Sequence, residues 1–205
     1  MLAEEHYAEH QEKPFYFSLI DFIRGRDHYP DAPEKRRVIA LVYLGIDAVA
    51  KVRAIAGPTD PHVARETRPG CVRALGSVVP VKNADGEVIG HRMDNLMHAS
   101  ATVPEAEREI KLWFKPTDIP PMMRPYPAVI CEQHYYYQDG VLYSAYAPGR
   151  TLLMAPGAVV WESDLQVLHA IEDGQSSAYS LAAVASKYMI NELPDTDCPD
   201  WRLSG

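Results

Sequence analysis

The stretch "DNLMHASATVPEAEREIKLWF", residues 94–114, decides how this chain is read. Leu96 and Met97 lead out of a strand-like segment. Thr102-Val-Pro-Glu105 then has the form of a capping box, a hydroxyl side chain followed three residues later by a carboxylate. Pro104 in the first turn removes no intrahelical hydrogen bond. From there Ala106, Ile110 and Trp113 or Phe114 recur at helical spacing and make one apolar stripe. His98 is therefore expected at a strand end, facing a helix N-terminus whose dipole and backbone N–H groups favour an anion such as phosphate.

An isolated histidine in such a place is more often a buried, hydrogen-bonded side chain. Glu109, eleven residues on and about two turns into the helix, changes that reading. A carboxylate there is placed to orient an imidazole nitrogen, as carboxylates do for catalytic histidines. Arg53, Thr59 and Arg73 form a second set. Arg53 rides a short helix, Thr59 sits in a Gly-Pro-Thr-Asp-Pro turn, and Arg73 follows a Pro-Gly pair. Arginines beside rigid turns suit two-pronged phosphate contacts. Asn95 reads equally well as a turn residue.

The rest of the chain sets limits. With 205 residues, 47% of them hydrophobic, it has enough apolar material for one good core or one domain with a sizeable extension. A net charge of −8 argues against nucleic acid or an anionic membrane as the main partner, but leaves room for a small anion held by local arginines. Cys71, Cys131 and Cys198 are odd in number and show no C-x-x-C spacing, so a reducing, cytoplasmic setting is expected and no structural zinc. The start "MLAEEHYAEHQEK" has no apolar signal core, and nothing approaches the ~18 apolar residues of a membrane span. There is no G-x-x-x-x-G-K-[ST] loop and no H-E-x-x-H pair. Ser100 lacks the G-x-S-x-G elbow of a serine hydrolase.

Element by element, residues 3–13 read as the end of a helix and 14–25 as a second helix closed by Gly25. "VIALVYLG" (38–45) is the strongest strand, and 47–57 is a helix from Asp47 to Gly57. Residues 58–77 carry three prolines and four basic residues counting His62, a loop composition. "VVPVKNADGEVIG" predicts a hairpin about Asp85-Gly86. "KPTDIPPMMRPYP" (115–127), with five prolines, marks a boundary. A second hairpin is expected about Asp139-Gly140, and helices near 162–172 and 177–193.

Four blocks, "EEHYAEHQEKPFYFSLIDFI", "VRAIAGPTDP", "RPGCVRALGS" and "NLMHASATVPEAEREIKLWF", resemble successive blocks of nucleoside diphosphate kinases, in the right order, over about residues 4–116. The last is similar to the family's Asn-x-x-His-Gly-Ser followed by a capped helix, with Ala99 and Ala101 in place of the usual Gly and Asp. The resemblance implies an α+β, ferredoxin-like βαββαβ sandwich over residues 1–117 and a C-terminal α/β extension of unknown role over 118–205. It implies that His98 accepts a phosphate from a nucleoside triphosphate, ATP included, and passes it to a nucleoside diphosphate. Glu109 would orient it, Ser100 would support the same network, and Tyr7 would pack close by. Arg53, Thr59 and Arg73 would hold the phosphates, Phe15 would stack on the base, and Asn95 would contact the sugar. Mg²⁺ would arrive with the nucleotide, and the protein would form a homo-oligomer. The reading from another class is a non-catalytic nucleotide-binding or assembly module with the same fold.

The family's first strand with its Lys-Pro-Asp end, the following helix and an edge strand have no counterpart here, and 26–37 and 78–92 look like insertions. Two expectations compete. In one, the chain derives from a longer product, with Met1 an internal or misassigned start and with poor solubility and weak or absent activity as given. Alternatively, strands from 128–160 fill the gap beside 38–45.

Overall fold

The computed structural model describes residues 2–189; Cys198 and the end of the helix expected to reach 193 lie outside them. The chain divides into two compact units, one of Tyr7–Glu109 and one joining the first six residues to the chain from Ile110 onward.

In the first unit, helix α2 (Tyr16–Ile23) buries Tyr16 and Ile20. Gly25 follows at φ 69°, a left-handed turn that glycine adopts without cost. Helix α3 (Ala48–Ala56) ends on Gly57 at φ 88°. A Cβ on Gly57 would lie 2.1 Å from Cys71 Sγ, so both conformation and close packing require glycine there. Asp47 precedes α3 in a left-handed conformation and makes no side-chain cap. Where loop composition was read over 58–77, the chain forms α4 (Pro61–Thr67) and a 3-10 turn at Val72–Leu75. The reason is local: Asp60 accepts from His62 N–H at 2.7 Å, and Pro61 at the first helical position supplies a φ already suited to a helix. The prolines mark the edges of this helix rather than its absence.

Strands β1 (Ser77–Lys82) and β2 (Val88–Asp94) form the expected hairpin. Asn83 Oδ1 accepts from the N–H groups of Asp85 and Glu87, closing the turn. Helix α5 (Val103–Trp113) begins as expected, with Thr102 Oγ1 accepting from Glu105 N–H at 3.2 Å. The Glu105 carboxylate reaches one residue further back, to Ala101 N–H at 2.6 Å.

Residues 38–45 depart from expectation. They belong to no sheet among the described residues. Strands from 128–160, expected beside them, pair with one another within their own unit. Val38, Ile39, Leu41, Tyr43, Leu44 and Ile46 are all exposed, Ile39 to 85%. Most of the run is therefore uncovered. A bare, uncharged β-branched run is a template for strand pairing. The chain should therefore self-associate at micromolar concentration. Ile39→Lys with Leu41→Lys should lower the mass seen by light scattering; an unchanged mass contradicts this reading.

The first stretch, read as the end of one helix over 3–13, is α1 (Leu2–His6) followed by a 3-10 turn at Ala8–His10. In the second unit, α1 and α7 (Leu181–Met189) share a small core of Leu2, Leu112 and Ala183. Strands β3 (Ala128–Ile130) and β7 (Val159–Trp161) pair antiparallel. Strands β4 (Tyr135–Gln138), β5 (Val141–Tyr143) and β6 (Thr151–Met154) make a three-stranded sheet in the order β5-β4-β6. The β4–β5 hairpin turns at Asp139 (φ 51°) and Gly140 (φ 86°), the conformation of a two-residue type I′ turn. Helix α6 (Glu162–Glu172) packs with α7 over this sheet. Trp161, Tyr135, Leu168, Val160 and Val184 are fully buried, each aliphatic one worth about 1.5–3 kcal/mol of transfer free energy.

Inside that core Asp164 is fully buried. It pairs with Lys187 Nζ at 2.6 Å and accepts from the hydroxyls of Tyr188, at 2.8 Å, and Tyr179. Lys187 also donates to Lys111 O at 2.8 Å. Burial pulls the Lys187 ammonium below its usual range, against the pull of Asp164. Burial and then Asp164 push both tyrosines up.

Candidate functional site

His98 sits four residues beyond the end of β2, rather than at the strand end itself. Between them Leu96 adopts φ 67°, a left-handed conformation that costs a branched side chain of this kind of order 1 kcal/mol or more. Beyond it His98 meets Glu109 of α5. Helical spacing from the cap at Thr102 brings Glu109 beneath it.

The imidazole Nε2 lies 3.0 Å from both oxygens of Glu109. Ser100 Oγ donates to Glu109 Oε2 at 2.6 Å. The histidine ring is 38% exposed at its side chain and Glu109 9%, so the carboxylate works from below in a drier setting. Because an ionised carboxylate only accepts, Nε2 carries the proton, and in the neutral ring the lone pair then belongs to Nδ1.

Both arginines brace the backbone on either side of that ring. Arg53 Nη1 donates to Ala99 O at 3.1 Å, and Arg73 Nε donates to Met97 O at 3.0 Å. Arg73 is buried and also donates through Nη1 to Gly57 O at 3.0 Å. Burial first, then the charge of Arg53, pull its guanidinium below the usual value. Two cations held near each other and close to an imidazole favour an anion between them.

The remaining expected residues fall into two groups. Tyr7 meets the His98 ring edge-on at 6.2 Å, and its hydroxyl is pushed up to about 12 by burial and then by Glu109. Asn95 Nδ2 donates to Thr59 O at 3.2 Å, so these two are joined to each other through the backbone of the α3–α4 turn. Phe15 packs edge-on against His10, which stacks on Tyr7. It is thus two rings away from His98.

Two supports escaped the sequence reading. Gly57 supplies the carbonyl that holds Arg73. Arg92, buried on β2, binds Asp94 at 2.6 Å and Ser18 Oγ at 2.7 Å, and pairs with Asp27. This ties β2, which leads into the His98 loop, to α2. The Arg-x-Asp spacing on one strand face was the available signal, because residues two apart in a strand are neighbours.

A family profile described as Nucleoside diphosphate kinase matches residues 1–119. Among curated relatives, the nucleoside diphosphate kinase of Pyrococcus furiosus is 40% identical over 118 residues, covering 58% of this chain and 60% of that protein. The one from Staphylococcus saprophyticus is 42% identical over 118 residues, covering 58% and 62%. The one from Pyrococcus abyssi is 34% identical over 140 residues, covering 68% and 70%. The chain thus spans about 60% of the length of the first of these relatives. Matched over more than half its length, and with antiparallel strands and helices in keeping with that family's ferredoxin-like α+β class, this chain belongs to the nucleoside diphosphate kinase family.

Proposed function

We propose that residues 1–117 form a nucleoside diphosphate kinase-type phosphotransferase, with 118–205 an extension of it. The observation that carries this is the bonding of His98 Nε2 to Glu109, with Arg53 and Arg73 fastening the carbonyls on either side of the ring. In the first half-reaction Nδ1 attacks the terminal phosphorus of a nucleoside triphosphate such as ATP. The bond to the bridging oxygen breaks and the diphosphate leaves with that electron pair. The ring then carries both a phosphoryl group and the Nε2 proton, and Glu109 offsets the positive charge that develops. In the second half a different nucleoside diphosphate attacks the same phosphorus through a terminal oxygen, and His98 is restored.

Phosphoryl transfer asks mainly for position and charge neutralisation. Arg53, only partly buried on α3, is the arginine suited to direct phosphate contact. Arg73, buried and donating twice to backbone, acts by its field and by fixing Met97. Thr59, Asn95 and Phe15 are the residues we assign to the phosphates, sugar and base. Mg²⁺ enters on the nucleotide's own phosphates, since Glu109 has its oxygens engaged by His98 and Ser100. We place the protein in the cytoplasm, as a homo-oligomer. Cys71 and Cys131 are free thiols, and among the described residues no helix is long and apolar enough to cross a membrane.

Incubation with γ-labelled ATP tests this. The wild-type chain should take up acid-labile, base-stable phosphate, and His98→Asn should take up none. Absence of label in the wild type, or its persistence in His98→Asn, contradicts the catalytic reading and favours a non-catalytic nucleotide-binding module.

A further inference from the structure

The first unit carries a chain of rings that the phosphotransfer reading draws on only in part. Tyr7 meets His98 edge-on at 6.2 Å. His10 stacks on Tyr7 at 6.0 Å, with 25° between the planes, and Phe15 meets His10 edge-on at 6.0 Å and 67°. His10 is thus the ring between Tyr7 and Phe15. Its backbone is fixed on both sides: its N–H donates to Tyr7 O at 2.9 Å, and its carbonyl accepts from Lys13 N–H at 2.9 Å. Lys13 O in turn accepts from Tyr16 N–H at 3.0 Å, where α2 begins on a buried tyrosine. Successive hydrogen-bonded turns therefore hold His10 in place between Tyr7 and the start of α2.

What this side chain contributes lies in its ring rather than in its ion pair. Nε2 lies 4.0 Å from Glu9, and with that carboxylate 76% exposed the pair is worth little. The two ring contacts are different, because aromatic pairs at these separations prefer particular mutual orientations. Phe15 is partly exposed at the boundary of α2, where a phenyl ring has more than one staggered position open to it. His10, itself held, selects among them. A stacking ring that is already in position spares the ligand the entropic cost of ordering it.

We infer that His10 is a positioning residue for the nucleobase, acting by presetting the ring of Phe15 and not by touching the reacting phosphate. The inference rests on the assignment of Phe15 to the base made above, and not on the phosphotransfer step.

Calorimetric titration of the full chain with ADP and with pyrophosphate, which has the phosphates without base or sugar, tests this. ADP should bind the wild type more tightly, and the ratio of the two dissociation constants reports base and sugar together. His10→Ala should lower that ratio about 3- to 10-fold. His10→Gln, which keeps bulk and polarity but no ring, should do the same. His10→Phe keeps a ring and loses the Glu9 pair, and should restore the ratio. A merely structural fault around His98 weakens both ligands alike and leaves the ratio where it was. In the Phe15→Ala background His10→Ala should lower the ratio no further, the mark of two residues that act as one. The inference is overturned by a wild type with no preference for ADP or by an unchanged ratio in His10→Ala and His10→Gln. It is equally overturned by a His10→Phe variant as poor as His10→Ala, or by equal falls with and without Phe15. Because no phosphate is transferred, a chain that gives the expected pattern but takes up no label from γ-labelled ATP contradicts the phosphotransferase reading alone.

Discussion

On the proposed mechanism, replacing Glu109 by glutamine should slow phosphorylation of His98 by about 10- to 100-fold, the range seen when a carboxylate that orients a functional histidine is removed. The amide is nearly the same shape as the carboxylate and can still accept from Nε2–H through its oxygen. What it lacks is the negative charge beneath a ring that becomes positive as the phosphoryl group arrives. Ser100, which donates to Glu109 at 2.6 Å, retains an acceptor in the variant, so the fold is little disturbed. The loss should therefore appear in the rate of the labelled half-reaction in rapid quench, with thermal stability nearly unchanged. A variant as fast as the wild type would remove Glu109 from the mechanism.

Asp164→Ala should cost about 3–5 kcal/mol, the usual penalty for leaving a buried charge without its partner. Lys187 would keep only the Lys111 carbonyl, and the hydroxyls of Tyr179 and Tyr188 would each lose an acceptor in a dry core. Domain stabilities are typically about 5–15 kcal/mol, so a loss of this size unfolds a large part of the second unit at elevated temperature. Trp161 reports on it directly, since its backbone N–H donates to Tyr188 Oη at 3.1 Å and its ring is fully buried. Urea unfolding followed by tryptophan fluorescence should show the midpoint fall. The double variant Asp164→Leu with Lys187→Met should recover much of the loss, because the pair is then replaced by apolar packing rather than broken. Equal stability of wild type and Asp164→Ala would mean that the buried pair contributes nothing net.

How much of this was legible in the sequence differs from residue to residue. The His98–Glu109 pair was, because it depends on one cap and two turns of helix, all within a dozen residues. The hairpins at Asp85-Gly86 and Asp139-Gly140 were legible for the same reason: turn chemistry is local. Arg53 and Arg73 were legible as phosphate-binding candidates from the turns beside them, but their place around His98 came only through family resemblance. Their contacts reach 46 and 24 residues along the chain to the His98 loop, and no local pattern encodes that. Residues 38–45 misled because β-branched composition states which surface a run can fit, not whether a neighbouring strand is there to meet it. Asp164 and Lys187 drew no attention in the sequence. Their pairing arises from packing α6 on α7 and had no signature in either helix alone.

The most direct test of the central claim is the identity of the phosphorylated nitrogen. Phosphorus NMR of the chain after reaction with ATP distinguishes phosphate on Nδ1 from phosphate on Nε2. With Nε2 held by Glu109 at 3.0 Å, the phosphate should be on Nδ1 of His98 and nowhere else. Phosphate on Nε2, or on any other side chain, would contradict the account.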